Sequence, residues 1–259
     1  MAGLINQFFV TKPRLRRLVT RLLEGDRDLT VRLLGADIRV NSVKEHGYVR
    51  ASRFMARNSF AGEEAPVLAS LIYLLRDADA FVDVGSNVGV YCAVLGRFRR
   101  FRKIPFYAFE PNPDTYKRLL ETTAGPGVET FNCALSDREG ELDFVSGAVS
   151  HIFATVDNRS DYTLRSPTVR IPCRRLDSIP IKGERILMKI DVEGHEWPVL
   201  KGASGLFDGN RVMACFVDGF KEEAVPAYFR EKGFRLLDGR SLEERPAGDC
   251  YALLAVKGY

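Results

Sequence analysis

Cysteine is sparse and unpaired in this chain. Cys92, Cys133, Cys173, Cys215 and Cys250 are odd in number and widely scattered, with no Cys-x-x-Cys spacing. That excludes a zinc ribbon and argues against a secreted disulfide framework. Most sit in apolar stretches and read as buried reduced thiols, which fits a cytoplasmic protein. Long apolar runs are missing too. The longest, Ala65 to Leu75, contains Pro66 and is too short to span a bilayer. The segment Met1 to Val10 lacks the basic start and apolar run of a signal peptide. Nor is there a strong excess of one charge: the formal net charge of +4 permits an anionic partner without demanding one. Composition therefore makes no case for nucleic acid. Internal repeats and low-complexity tracts are absent.

What remains is ordinary for a globular enzyme: 46% apolar and 28% charged residues in a chain of 259. That length can bury a sizeable core without staples. Residues 12–24 place Leu15, Leu18, Val19, Leu22 and Leu23 at helical spacing among Lys12, Arg14, Arg16, Arg17 and Arg21. This reads as a surface helix packed on the domain, or as an amphipathic helix in peripheral contact with an anionic membrane. Val31 and Leu33, then Ile38 and Val40, alternate on either side of Gly35 and predict a β-hairpin. Residues 1–62 thus form an N-terminal helix and hairpin extension, and 63–259 a second, larger domain.

From residue 63 the chain alternates. A helix over Glu64–Arg76 precedes a buried strand at Ala80–Val84, and Val90–Phe98 is helical. Phe106–Phe109 is a strand, Pro113–Thr122 a helix and Val128–Cys133 a third strand. Residues 137–175 break the rhythm with short strand-like runs and read as an antiparallel insertion. Alternation resumes with a strand at Ile186–Asp191, a helix at Glu196–Leu206, a strand at Val212–Asp218 and a helix at Lys221–Lys232. Phe234–Leu237 and Tyr251–Val256 close the chain as a hairpin. The pattern predicts an α/β, Rossmann-like, doubly wound and mostly parallel sheet of seven strands with a C-terminal antiparallel hairpin.

In such a sheet ligands bind beyond the carboxyl ends of the strands. The first strand ends in Asp83-Val84-Gly85-Ser86-Asn87-Val88-Gly89. Gly85 permits the sharp turn, and Gly89 lets the next helix pack close to a ligand. Asn87 holds the place of the middle glycine that a dinucleotide pyrophosphate needs, so a nicotinamide oxidoreductase is disfavoured. The sulfur and amino-acid tail of S-adenosylmethionine fit such a loop. Glu110, in Phe109-Glu110-Pro111-Asn112, ends the next strand and can accept two hydrogen bonds from ribose hydroxyls. The plain alternative is a helix-capping acid. Asn132-Cys133-Ala134 follows the third strand, and Ala134 can line the adenine pocket.

Together with Lys189-Ile-Asp191-Val-Glu193-Gly-His195-Glu196 and Arg175-Leu-Asp177, these residues resemble the FkbM-type methyltransferases over roughly residues 64–240. The resemblance implies a class I methyltransferase fold and S-adenosylmethionine as donor. It implies O-methylation of a sugar, glycoconjugate or other hydroxylated metabolite, and cofactor roles for Asp83, Gly85, Asn87, Gly89 and Glu110. Ser86, Ala134 and Asp191 complete the expected cofactor set. Asp218 stands where a longer Glu is expected.

Asp191, Glu193 and His195 cluster past the fourth strand and are the catalytic candidates. His195 is the favoured base because an imidazole titrates near neutrality, with Glu193 orienting it or acting instead. Glu193 and Glu196 could also simply cap the next helix. Asp191 and Asp218 end neighbouring strands and could hold Mg2+, a metal the reading leaves out of the site. His151 lies in the irregular insertion, as an acceptor contact or a residue facing water. Arg97, Arg99, Arg100, Arg102 and Lys103 read as a solvated helix end or as contacts to a phosphorylated acceptor. The alternatives in function are a non-catalytic S-adenosylmethionine binder and a nucleic-acid methyltransferase. The latter is disfavoured because Asp191-Val-Glu-Gly replaces the proline pair and aromatic that hold a flipped base.

Overall fold

A computed structural model of the chain describes residues 13–54, 59–125, 127–146, 153–155 and 168–258. Lys12, His151 and the Met1–Val10 segment lie outside the described residues.

The alternation of apolar runs and amphipathic helices gives a seven-stranded sheet. Its strands are β3 (Ala80–Val84), β4 (Phe106–Phe109), β5 (Val128–Phe131), β10 (Ile186–Ile190), β11 (Val212–Asp218), β12 (Phe234–Asp238) and β13 (Ala252–Lys257). Their order is β12-β13-β11-β10-β3-β4-β5. The pairs from β11 through β10, β3 and β4 to β5 are parallel, while β13 runs antiparallel to β11 and to β12. This is the doubly wound, mostly parallel seven-stranded sheet with a C-terminal antiparallel hairpin that the pattern predicted. The chain starts at the centre in β3, steps outward to β5, then returns to β10 on the other side of β3. Strand order therefore reverses between β3 and β10, which opens a crevice at their carboxyl ends.

Both sheet faces are covered, so the strands are apolar on both. Phe81 of β3 and Leu187 of β10 join one core cluster, whereas Val82, Val84, Met188 and Ile190 join the other. The first face is covered by α3 (Ser59–Leu74), α4 (Val90–Gly96) and the hairpin of β1 (Asp28–Leu33) and β2 (Ala36–Asn41). The second is covered by α6 (Glu196–Gly202), α7 (Ser204–Asp208) and α8 (Ala224–Glu231).

The hairpin is fastened to the larger sheet unit. Leu34 and Gly35 both have positive φ, the two-residue turn that suits strand twist. Leu33, Ile38 and Val40 are fully buried in the core cluster of Phe81 and Leu95. Beside them, Glu45 accepts a 2.8 Å hydrogen bond from Arg118 of α5 (Pro113–Thr122), and both side chains are buried. In contrast, Leu18, Leu22 and Leu23 of α1 (Pro13–Glu24) are exposed.

Three segments differ from the sequence expectation. The helix expected over 196–206 is two helices, broken at Ala203. A Cβ at Gly202 would stand 1.9 Å from the Ser136 carbonyl, so this helix end is pressed onto the chain after β5. Asp177 accepts from the Gly205 N–H at 3.0 Å and so holds the first turn of α7. The third strand stops at Phe131, and β6 (Ala134–Leu135) joins the insertion instead. There it pairs in parallel with β9 (Thr168–Arg174), which is antiparallel to β7 (Gly140–Ser146). β7 in turn pairs with β8 (Phe153–Thr155). The helix expected from Lys221 starts at Ala224, which leaves 219–223 as a loop past β11.

Candidate active site

The turn after β3 is built from its own backbone. Gly85 has φ +78°, and a Cβ there would stand 1.9 Å from the Asp191 carbonyl, so β10 can approach only a glycine. Ser86 donates to the Asp83 carbonyl at 2.7 Å and accepts from the Phe109 N–H at 3.1 Å. Gly89 has φ +83°, and its added Cβ would meet Leu119 of α5 at 2.7 Å. Its bareness therefore serves helix-to-helix contact. Asn87 adopts φ +51°, a region in which asparagine is enriched.

Glu110 leaves β4 with both carboxylate oxygens engaged by backbone amides. Oε2 accepts from the Asn87 N–H at 2.9 Å and Oε1 from the Asn112 N–H at 2.8 Å. Burial pushes this carboxyl up to about 7, against the two amides that lower it. Asn132 donates to the carbonyls of Glu110 and Pro111 and pins the loop. Asn112 caps α5 by accepting from the N–H groups of Asp114 and Thr115.

These loops form one wall of a crevice of about 620 Å3, open mouth included. Val84, Gly85, Asn87, Glu110, Cys133 and Ala134 line it, with Phe144 from the insertion. Asp191, Glu193 and His195 line it from the end of β10. Of the expected cofactor residues, Gly85, Asn87, Glu110, Ala134 and Asp191 thus share the crevice. Asp83, Ser86 and Gly89 are not among its lining residues; they shape the turn.

Asp83 is fully buried and 3.6 Å from Lys189 Nζ, which also donates to Asp191 Oδ2 at 3.3 Å. The Lys189 ammonium lies 4.7 Å from the centroid of the Tyr91 ring. Burial works against the charged amine, but Asp191, Asp83 and Glu64 outweigh it and hold its pKa above the ordinary lysine value. Lys189 is the residue that sequence reasoning passed over. Its only signal was one cation inside the apolar run Ile186-Leu-Met-Lys-Ile190.

Past β10 the backbone turns with φ +54° at Glu193 and +93° at Gly194. A left-handed glutamate is strained, and such strain concentrates at functional sites. Burial, then Asp191 and Glu196, push the Glu193 carboxyl up to about 8. Glu196 is fully buried, accepts from the Gly194 N–H at 2.9 Å, and is raised to about 7 by burial. Burial lowers the His195 pKa. Its Nε2 is 3.0 Å from Ser136 Oγ, a partner that no sequence signal pointed to. Ser136 also reaches Asp137 Oδ1 at 3.3 Å, and a hydrogen bond from Lys201 holds Asp137 below the usual carboxylate range. An ionised carboxylate only accepts. With Ser136 donating to Asp137, the tautomer that completes the chain is the one in which His195 Nε2 donates to Ser136 and Nδ1 keeps the lone pair.

Asp191 and Asp218 each have a cation of their own, Lys189 at 3.3 Å and Arg240 at 3.6 Å. Among the described residues no group of three or more His, Cys, Asp or Glu is placed to hold a metal. No described helix is long and apolar enough to cross a membrane.

The family model of the methyltransferase FkbM domain matches residues 83–236. The chain belongs to the FkbM methyltransferase family. The hexuronic acid methyltransferase AglP of Haloferax volcanii is 31% identical to it over 148 residues, 54% of this chain and 56% of that protein. This FkbM-family chain thus spans little more than half of that relative. Methyltransferase 1 of Beauveria bassiana is 25% identical over 207 residues, 70% of this chain and 82% of that one. The structure of Methyltransferase FkbM from Methylobacillus flagellatus aligns with 69% of this chain and 44% of its own, at 14% identity and TM-score 0.46.

The family implies S-adenosylmethionine as the methyl donor, and polar groups lining the crevice of this FkbM-family protein fit it. Each Glu110 oxygen has used one of its two lone-pair sites, so the carboxylate can still accept from a diol. Asn87 Oδ1 is buried without a hydrogen-bond partner on the same wall.

Proposed function

We propose that this chain is an O-methyltransferase that moves the methyl group of S-adenosylmethionine to a hydroxyl of a saccharide or glycoconjugate. The observation that carries the reading is the crevice itself. On one side Glu110 is held by two amides, and on the other stand Asp191, Glu193 and a neutral His195. The relative named for hexuronic acid methylation supports a sugar as acceptor. Buried free thiols at Cys92, Cys133, Cys173 and Cys215 support a reducing, cytoplasmic location.

S-adenosylmethionine, when bound, supplies a methyl group on a positively charged sulfur. The protein's part is binding, alignment and proton removal. Glu110 accepts the ribose hydroxyls, and the unpartnered Asn87 oxygen accepts a further donor. Asp191, fixed by Lys189, sets a negative charge at the reactive end, where carboxylates suit a cation. His195 Nδ1 takes the proton of the acceptor hydroxyl, with the Ser136–Asp137 chain holding the tautomer that this needs. Alignment of the two reactants supplies the rest of the acceleration.

Isothermal titration with S-adenosylmethionine, set beside methyl-transfer assays on a panel of sugars and uronic acids, tests the reading. Binding with turnover on a saccharide is the expected result. Binding with no turnover across the panel would make the protein a non-catalytic binder. Absence of binding would overturn the assignment.

A further inference from the structure

Beyond the ends of β10 and β11, three distant chain segments converge. Asp218 ends β11, Arg240 follows β12 and Tyr251 precedes β13. Arg240 and Tyr251 lie past the end of the family match at residue 236. The antiparallel pairing of β11 with β13 sets Asp218 opposite Ala252, and the Gly219 N–H donates to the Tyr251 carbonyl at 3.1 Å. Gly219 has φ +69°, and an added Cβ there would stand 3.2 Å from the Tyr251 hydroxyl, which places the two side by side. The Arg240 guanidinium lies 5.3 Å from the Tyr251 ring centroid. Its Nη2 is 3.6 Å from Asp218 Oδ1, near enough for charge attraction and too far for a hydrogen bond.

The cluster is incomplete. Asp218 Oδ1 and Arg240 Nε are both buried without a hydrogen-bond partner. Tyr251 is 67% exposed although the guanidinium lies against its ring. An orphan acceptor, an orphan donor and an exposed aromatic ring thus stand together. They also stand within electrostatic reach of the reactive wall: Asp191 acts on Asp218, and Asp191 and Glu193 act on Tyr251.

Ligand classes differ in how they would satisfy this set. An apolar acceptor would cover the ring and leave both polar atoms unpaired, at a cost. A simple anion would satisfy Arg240 but face the Asp218 carboxyl. A sugar ring presents a C–H face to the aromatic, and its hydroxyls donate and accept at once. We propose that Tyr251, Arg240 and Asp218 form the acceptor subsite, with a pyranose ring stacked on Tyr251 and neighbouring hydroxyls taken between Asp218 and Arg240. The subsite deepens the saccharide O-methyltransferase reading and rests on it.

Saturation-transfer NMR on the full chain tests this directly, with methyl β-glucopyranoside and methyl β-glucuronopyranoside as probes. Transfer to the ring C–H protons of at least one probe is expected. Tyr251→Ala should weaken it by roughly tenfold or more, and Arg240→Met by roughly tenfold, as loss of a paired polar contact implies. Tyr251→Phe keeps the aromatic face and should retain most of the signal. S-adenosylmethionine affinity, titrated in parallel, should stay within about twofold in all three variants, which also shows that they are folded. The subsite is overturned if neither probe receives transfer from the native chain, or if transfer survives both Tyr251→Ala and Arg240→Met. Failure to bind S-adenosylmethionine in the native chain would instead sink the methyltransferase reading, whatever the sugars do.

Discussion

The two halves of the crevice use carboxylates in opposite ways. On the β3–β4 side, Glu110 is buried but answered, with one backbone amide on each oxygen. Beyond the crevice lining on the β10–β11 side, Glu196 Oε2, Asp218 Oδ1 and Glu222 Oε2 are buried without a hydrogen-bond partner, whereas β3 and its turn leave only Asp83 Oδ1, beside Lys189, and Asn87 Oδ1 so. Backbone amides are fixed in place by the sheet and its turns, so the first half is preorganised for one ligand. The second half leaves polar atoms whose partners must arrive with a ligand or move with a loop. Such a division suits the proposed cofactor on the first side and the proposed acceptor on the second.

Lys189 joins the two halves, so its removal is the strongest way to break the contrast. Lys189→Met leaves Asp83 buried without its cation and should cost about 3–5 kcal/mol of folding stability. Urea denaturation measures it; a loss below about 1 kcal/mol would mean that the buried pair does not couple the halves. Gly85→Ala should cost about 3 kcal/mol, because the site requires φ +78° and admits no Cβ beside the Asp191 carbonyl. The same denaturation series reads it, and a neutral outcome would show that β10 can draw back.

The next effects concern ligand affinity. Glu110→Ala should weaken S-adenosylmethionine binding by about 1.5–3 kcal/mol in isothermal titration. Unchanged affinity would remove Glu110 from ribose recognition. In the native chain affinity should depend on pH with a definite sign. The Glu110 carboxyl titrates near about 7 before ligand arrives, and hydroxyl donors favour its ionised form. Affinity should therefore climb as pH rises through that value, by at most about tenfold per unit, and level off above it. Glu110→Gln should flatten the curve, and an unaltered slope would assign the proton to another group.

A pH effect also falls on the unliganded fold. Glu110, Glu193 and Glu196 keep protons to about 7, 8 and 7 in the folded chain, well above the ordinary 4.5. Raised acids contribute stability that is full below the unfolded value and is lost as pH rises through the folded one. Thermal melts without ligand should accordingly fall between about pH 5 and 8, and S-adenosylmethionine should reduce that fall. A melting temperature that rose over the same range would contradict the raised values.

The β3–β4 half of the crevice was readable in the chain because its signals are local. Gly85, Asn87 and Glu110 sit at the ends of two short apolar runs, and both runs became strands at the expected places. The helix after Asn112 announced itself by a capping asparagine and Pro113. The β10–β11 half was readable only in part. Asp191, Glu193 and His195 were found as one segment and do line one wall. Ser136 stands 59 positions from His195, and no spacing rule connects them. Arg240 lies in a loop that neither periodicity nor a motif marks, and Tyr251, expected to open the last strand, stands just before it. The break at Ala203 was hidden because Gly202 is set by the Ser136 carbonyl against it, a contact made in space.

Apolar periodicity and glycine placement, written into the chain, determined the strand order and the turn that opens a crevice at the β3–β10 reversal. Only the tertiary structure decided which polar groups inside it are paired. Burial and electrostatic pairing depend on distances across the fold, and those exist only once the sheet has closed. Thus Lys189 became the anchor of Asp83 and Asp191, while Asp218 and Arg240 were left with bonds to make.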